Sequence, residues 1–306
     1  MTDLLVDAFQ ANRGRLFGIA YRMLGTVADA EDVLQDAWLR WQGTDRDAVR
    51  EPAAFLSTIV TRLSLTALDS ARARREVYVG PWLPEPILTG VSGGTGGADP
   101  ADAAEHAESL SMAVLLLLER LSPAERAAYV LHAAFDYPFR QVAEVLETSE
   151  ANARQLASRA RAHLDRERGA VVTADEHDRM LGAFLAAAQS GDLASLEALL
   201  TTDVQSVSDG GGVVSAARRV VGGRHKVAPF ILGIADKFGG GIEWAAVEAN
   251  GEAAVLGVRN GAPEVLLTVD VAPDGLRSLL VMLNPHKLRA FVDVAAAVTS
   301  GGPAQS

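Results

Sequence analysis

The tract Leu121–Leu164, LSPAERAAYVLHAAFDYPFRQVAEVLETSEANARQLASRARAHL, constrains this chain more than any other. It predicts three short helices, the last two forming a helix-turn-helix. Ser122-Pro123-Ala124-Glu125 combines an N-cap, a proline at the first helical position and a glutamate three residues after the cap. That is a capping box. Apolar residues recur at Ala127, Val130, Leu131 and Ala134, one face of a helix. Asp136-Tyr137-Pro138 interrupts the run, because proline disfavours helix in the residue before it. A second helix is expected over Phe139–Leu146, with Val142, Val145 and Leu146 inward. Glu147-Thr148-Ser149 is a turn ending in capping residues. A third helix from Glu150 buries Ala153, Leu156, Ala160 and Leu164.

That spacing leaves Asn152, Arg154, Gln155, Ser158, Arg159 and Arg161 exposed. Arginine pairs with guanine N7 and O6, and Asn or Gln with adenine, so these side chains suit base reading in a major groove. The alternative is a solvated face on a three-helix bundle.

The net charge of −11 runs against a protein that holds DNA alone, since such affinity rests largely on neutralised phosphates. Residues 1–80 carry ten bases against eleven acids, and 81–169 eight against thirteen. Positive charge is local, at Arg62, Arg72, Arg74, Arg75 and the arginines after position 153. A DNA reader of this kind needs a partner to supply affinity.

The first 80 residues suggest one. Thr26–Gln42 is an amphipathic helix with Ala30, Leu34, Ala37, Trp38 and Trp41 on its apolar face. Asp29, Asp32 and Asp36, beside Glu31 and Gln35, share the opposite face. Like charges at helical spacing repel, so this stripe is either a docking surface or a solvated face favoured near a helix N-terminus. Pro52–Glu76 then begins apolar and ends basic at Arg72, Arg74 and Arg75.

No cysteine occurs, which excludes disulfides and thiolate metal sites. The six histidines form no H-x-x-x-H pair, and no metal or cofactor is expected. Met1-Thr2-Asp3 does not read as a signal peptide, and the apolar run Ala113–Leu118 is too short to span a membrane. A cytoplasmic protein without a membrane partner is expected.

After His177 two helices are expected, over His177–Ala188 and Asp192–Leu200. Beyond Val204 the pattern becomes short apolar runs: Val213-Val214, Trp244–Val247, Ala253–Val258, Val265–Val271 and Leu279–Leu283. Helices followed by an antiparallel sheet give an α+β domain.

The order of these tracts resembles a known family. Asp29-Ala-Glu-Asp-Val-Leu-Gln-Asp-Ala-Trp38, a helix ending in arginines, a linker and a helix-turn-helix together look like a bacterial sigma factor of the extracytoplasmic-function group. The resemblance covers residues 1–168. Three further tracts, Trp82-Leu83-Pro84-Glu85-Pro86, Asp209-Gly210-Gly211-Gly212 and Asn284-Pro285-His286-Lys287-Leu288, resemble its sigma-J-like subgroup, which carries a fused SnoaL-like (NTF2-like) domain. In that subgroup lysine usually follows the glycines, where this chain has Val213. An acid usually stands at the position of His286.

The resemblance implies a multidomain chain. Two all-α domains, region 2 over residues 1–78 and region 4 over 109–168, flank a flexible linker over 79–108. An α+β cone follows over 173–306. It implies a subunit that directs RNA polymerase to promoters. Asp29, Glu31, Asp32, Gln35 and Asp36 would meet the beta-prime clamp helices, and region 4 the beta flap. Thr61, Arg62, Leu63 and Thr66 would line a pocket for a flipped −10 base, with Arg72, Arg74 and Arg75 beside it. Asn152, Arg154, Gln155, Ser158, Arg159 and Arg161 would read the −35 duplex. Trp82–Pro86, Asp209–Gly212, Asn284, Pro285 and Lys287 would form a regulatory contact between linker and cone.

The two promoter elements lie about 55 Å apart at ~3.4 Å per base pair, and residues 79–108 extend to about 100 Å, so the linker spans them. A SnoaL-like cone encloses an apolar cavity suited to a small ligand.

Two other readings stay open. One is a one-component helix-turn-helix regulator with a ligand-sensing domain. The other is a cyclase- or isomerase-like enzyme fused to a DNA-binding module, drawing its acids from Asp209, Glu243, Glu248, Glu252, Asp270 and Asp274. No tyrosine occurs after residue 168 to serve as an oxyanion donor, which disfavours the enzyme, and no catalytic residue is assigned.

Overall fold

The computed structural model describes residues 8–45, 49–91, 111–168 and 172–300. Two compact units emerge. The first runs to Val77 and resumes over Val114–Glu167, and the second takes in the strip from Tyr78 and the chain from Arg168 onward.

The first unit is helical. Its first three helices, in the expected region 2, are α1 (Arg13–Leu24), α2 (Val27–Gln42) and α3 (Pro52–Glu76). Gly25 ends α1 in the left-handed conformation, and the Thr26 hydroxyl caps α2 by accepting from the Asp29 amide. Leu16, Ile19, Tyr21, Met23, Leu34, Trp41, Leu56, Val60 and Leu68 are buried between the three helices. After α4 (Met112–Leu118), α5 (Pro123–Tyr129) carries the expected capping box in both directions and continues into a π-helical turn, Val130–Ala134. Asp136, at φ +57°, leads to α6 (Phe139–Val145), and Glu147, at φ +53°, makes the tight turn into α7 (Glu150–Arg168). Ala153, Leu156, Ala160 and Leu164 are buried, which seats α7 on the rest of the unit.

The second unit is α+β. Helices α8 (Ala174–Ser190) and α9 (Leu193–Leu199) are capped by Thr173 and Asp192. A third helix, α10 (Arg224–Phe238), was not expected from the sequence, because Pro229 lies inside it and conceals the pattern. The strands are β1 (Leu88–Val91), β2 (Leu200–Asp209), β3 (Val221–Gly222), β4 (Glu243–Ala249), β5 (Glu252–Arg259), β6 (Ala262–Ala272) and β7 (Gly275–Met282). They form one sheet in the order β1-β4-β5-β6-β7-β2-β3. Helix α11 (Val292–Ser300) follows.

Three expectations need correction. The sheet is mixed, because β2 runs parallel to β7 while the other pairs are antiparallel. Val213-Val214 is an exposed turn outside the sheet: both residues donate their amides to the Gly210 carbonyl, which closes the chain on itself. The front of the expected flexible linker is ordered. Leu88–Val91 is an edge strand on β4, anchored by Asn250, whose side-chain oxygen accepts the Ile87 amide at 3.0 Å and whose own amide donates to the Ile87 carbonyl at 2.9 Å. The Thr89 hydroxyl also accepts the Gly251 amide. Residues 92–108 of the expected linker lie outside the described residues.

Helices α8 to α10 pack apolar side chains against the sheet. Leu181, Phe184, Val227, Val255, Leu267 and Leu279 belong to one buried apolar cluster.

Candidate functional site

Three constellations carry the chemistry. The first is the acidic stripe of α2. Asp32, Gln35 and Asp36 are exposed on one face, and Leu39, 58% exposed, extends the stripe by one turn. Leu39 stands three residues after Asp36, four after Gln35 and seven after Asp32, so it shares their helix face, and its apolar side chain gave no signal among acids in the sequence. Asp29 and Glu31 stand apart from the stripe. Asp29 accepts from the Thr26 hydroxyl and pairs with Arg74 at 2.6 Å; Glu31 pairs with Arg13 at 2.7 Å.

The second is the exposed face of α7. Asn152, Arg154, Gln155, Ser158, Arg159 and Arg161 all face solvent, brought to one side by 3.6-residue periodicity. Asn152 donates to the Thr148 hydroxyl at 2.9 Å, and the Arg154 guanidinium lies 5.1 Å above the Phe139 ring while pairing with Glu150. Arg159 donates to Glu125 at 2.9 Å, which holds the Glu125 carboxyl below its usual range with help from the Ser122 hydroxyl. Arg161 reaches only to 3.9 Å from Asp165.

The expected −10 residues on α3 are divided. Arg62 and Thr66 are exposed and Leu63 is half-buried. Thr61 is a correction: it is fully buried, and its hydroxyl donates to the Ser57 carbonyl at 2.8 Å. It faces the helical core, so it lines no surface pocket. Arg72 donates to the Leu121 carbonyl at 2.8 Å, and Arg75 pairs with Glu119 and with the Leu24 carbonyl. Arg126, fully buried, donates to the same Glu119 at 2.8 Å and to the Met23 carbonyl at 2.7 Å. Burial lowers Arg75 and Arg126 to about 9, each also depressed by a neighbouring arginine, so both stay charged at neutral pH.

The third is a clasp within the second unit. Asp209 ends β2, fully buried. Its carboxylate accepts from Lys287 Nζ at 2.8 Å, the Leu83 amide at 2.9 Å, the Gly211 amide at 3.0 Å and the Tyr78 hydroxyl at 2.6 Å. Lys287 also donates to the Leu83 carbonyl, and its ammonium lies 4.4 Å from the Trp82 ring centre and 5.1 Å from that of Tyr78. Asn284 donates to the Tyr78 oxygen at 2.9 Å. Gly211 sits at φ +61°, and a Cβ there would meet Asn284 at 2.4 Å, so the glycine is required twice over. A Cβ on Gly210 would strike the Val214 carbonyl, and one on Gly212 would crowd Val79 at 3.1 Å. Pro84 and Pro86 are buried, Glu85 is half-buried and Pro285 is exposed.

The clasp joins Trp82, Leu83, Asp209, Asn284 and Lys287, as the sequence tracts suggested, and adds Tyr78. Tyr78 lies outside every tract, and only its aromatic character just ahead of Trp82 signalled it. Burial and the Asp209 carboxylate push the Tyr78 phenol well above its usual range. Val213 and His286, where the subgroup carries charges, place no side chain in the clasp: Val213 is exposed, and the His286 ring meets Arg289 at 3.1 Å while its backbone amide donates to the Asn284 side-chain oxygen.

A helix with an acidic face, a long helix ending in arginines and a helix-turn-helix define a transcription initiation factor of the sigma class. Comparison bears this out. The family model "Sigma-70 region 2" matches residues 8–74, and "Sigma-70, region 4" matches residues 111–164. The chain is 44% identical over 240 residues to the ECF RNA polymerase sigma factor SigJ of Mycobacterium tuberculosis, covering 78% of this chain and 75% of that protein. It is 30% identical over 298 residues to a probable ECF sigma factor, SigI, of the same organism, across 94% of this chain and 95% of that one. The crystal structure of the M. tuberculosis extracytoplasmic function sigma factor SigJ superposes with a TM-score of 0.75 at 39% identity, over 93% of this chain and 98% of that one.

The chain belongs to the extracytoplasmic-function RNA polymerase sigma factors. It directs RNA polymerase to promoters to initiate transcription, and it carries an α+β domain with a seven-stranded mixed sheet after region 4. Among the described residues no helix is long and apolar enough to cross a membrane.

Proposed function

We propose that this sigma factor is regulated in cis by its own C-terminal domain, through the grip of Asp209 and Lys287 on the strip Tyr78–Leu83. The carrying observation is the buried ion pair that holds both the amide and the carbonyl of Leu83. A buried pair is strongly orienting, and losing either partner leaves an uncompensated charge. The strip directly follows region 2, so its capture or release changes how region 2 is tethered to everything after it. This replaces a separate anti-sigma protein.

In this reading Asp32, Gln35, Asp36 and Leu39 dock on the beta-prime clamp helices, with Asp29 and Glu31 shaping the edge, and region 4 binds the beta flap. Arg62, Leu63 and Thr66 contact the −10 element. Arg72, Arg74 and Arg75 act there only once their present partners let go. Asn152, Arg154, Gln155, Ser158, Arg159 and Arg161 read the −35 duplex. The protein works in the cytoplasm. Enzymatic turnover is the weaker reading, because the Asp209 carboxylate is already engaged in a buried ion pair with Lys287.

The test is run-off transcription with core polymerase by the Trp82→Ala variant and by a chain truncated after Arg168. Both are expected to shift output by about threefold or more while the helical unit keeps its melting transition. Unchanged output in both would overturn the reading.

A further inference from the structure

Arg154, in the second turn of α7, is held by two contacts. Its guanidinium lies 5.1 Å from the centre of the Phe139 ring, at the first residue of α6, and it pairs with the Glu150 carboxylate one turn earlier. The face of an aromatic ring carries negative potential and attracts a cation, and a flat guanidinium can also stack on it. The Arg154 side chain is still 60% exposed, so these contacts leave it open to a further partner.

The ring is itself held. His132 packs on Phe139 with ring centres 3.9 Å apart and planes inclined by 33°. His132 Nδ1 lies 3.0 Å from the Tyr137 carbonyl, which can only accept, so Nδ1 donates and the imidazole is fixed in orientation. His132 stands in the π-helical turn Val130–Ala134, and the Tyr137 amide donates to the Leu131 carbonyl at 3.0 Å, which ties that turn to the residues leading into α6. Single wide turns of this kind recur at functional sites. A chain of contacts thus runs from the π turn through His132 and Phe139 to Arg154.

Guanine presents N7 and O6 in one plane, and an arginine reads them with a flat fork of donors. Ordering a long side chain on binding costs conformational entropy, and a side chain ordered beforehand avoids most of that cost. The neighbouring Asn152 is treated in the same way: its side-chain amide donates to the Thr148 hydroxyl at 2.9 Å, and its backbone amide to the Ser149 hydroxyl at 3.2 Å.

We propose that Phe139, held by His132, is a positioning residue for −35 recognition: it orders Arg154 in advance for the N7/O6 edge of a guanine. This role rests on the proposed reading of the −35 duplex by Arg154.

The test is promoter-library selection by the full chain with core polymerase, read as base preference at each −35 position. Arg154→Ala is expected to lower the preference for guanine at one position about tenfold. Phe139→Leu, which keeps an apolar side chain, is expected to lower it at that same position about threefold and to leave the other positions unchanged. Phe139→Tyr, which keeps a ring face, should retain the wild-type profile, and Phe139→Leu added to Arg154→Ala should cost nothing more at that position. His132→Leu leaves Phe139 in place and is expected to give a smaller loss there, so it decides the matter if Phe139→Leu lowers the melting transition. An even loss of preference across all −35 positions in Phe139→Leu and His132→Leu would show a structural role alone and overturn the proposal. An intact profile in both variants, beside a lost guanine in Arg154→Ala, overturns the positioning role and leaves the reading by Arg154 standing. An intact profile in Arg154→Ala overturns both.

Discussion

Lys287 Nζ donates to the Asp209 carboxylate at 2.8 Å, with the Asp209 side chain wholly shut from solvent and that of Lys287 10% exposed. The two residues are 78 positions apart, yet together they hold both polar backbone atoms of Leu83. Lys287→Met leaves the carboxylate with three neutral donors and no counter-charge. The expected cost is about 3 kcal/mol, read as a lower denaturation midpoint of the C-terminal domain. Adding Asp209→Asn to Lys287→Met removes the stranded charge and is expected to recover part of that loss. A double variant less stable than the single one would contradict the ion-pair account.

The Tyr78 phenol gives the clasp a pH dependence of known sign. Its folded pKa is raised by burial and by the Asp209 carboxylate that accepts its hydrogen bond. A raised acid binds more protons folded than unfolded, so its contribution is fully present below about 10, the ordinary phenol value. It declines as pH climbs from there toward the folded value. Because Tyr78 is partly exposed, the slope is expected to fall short of the full one-proton value. Unfolding measured between pH 9 and 11 should show the decline in the wild type and lose it in Tyr78→Phe. Equal slopes in the two proteins would contradict the hydrogen bond.

The acidic stripe predicts an ordering among its own residues. Asp32 and Asp36 are exposed on the stripe, whereas Asp29 is tied to Thr26 and Arg74. Asp32→Lys with Asp36→Lys is expected to weaken binding to core polymerase about tenfold or more, since reversed charges repel a basic partner. Asp29→Ala should cost less than the pair. Fluorescence titration of labelled protein with core polymerase gives both values.

In the proposed reading recognition by α7 rests on side chains, so base dependence should be separable from folding. Arg154→Ala with Gln155→Ala removes two proposed base readers from exposed positions, each worth about 1–3 kcal/mol of discrimination. Promoter-library selection should lose its −35 preference while the melting temperature changes little. A retained −35 consensus would place recognition on other residues.

The helical half was legible because its signals are local. Ser122 and Glu125 form the capping box that the sequence spells out, and Ala153, Leu156, Ala160 and Leu164 occupy the buried face their spacing requires. What could not be read depends on distant partners. Thr61 looks like a surface residue next to Arg62, but helix α3 turns it onto the core. Leu88–Val91 became a strand only because β4 supplies its backbone partners from more than 150 residues away. Arg126 falls among the apolar positions of α5 and gives no hint that Glu119 and Met23 receive it. Asp209, Asn284 and Lys287 were visible as tracts, and the fold was needed to make Tyr78 their fourth member.

Run-off transcription from one defined promoter, with core polymerase saturating and the full chain carrying Asp209→Asn and Lys287→Met, tests cis regulation most directly. The account predicts that core affinity stays at the wild-type level while transcript yield shifts by about threefold or more. Wild-type yield from a chain whose clasp is shown to be open would contradict it.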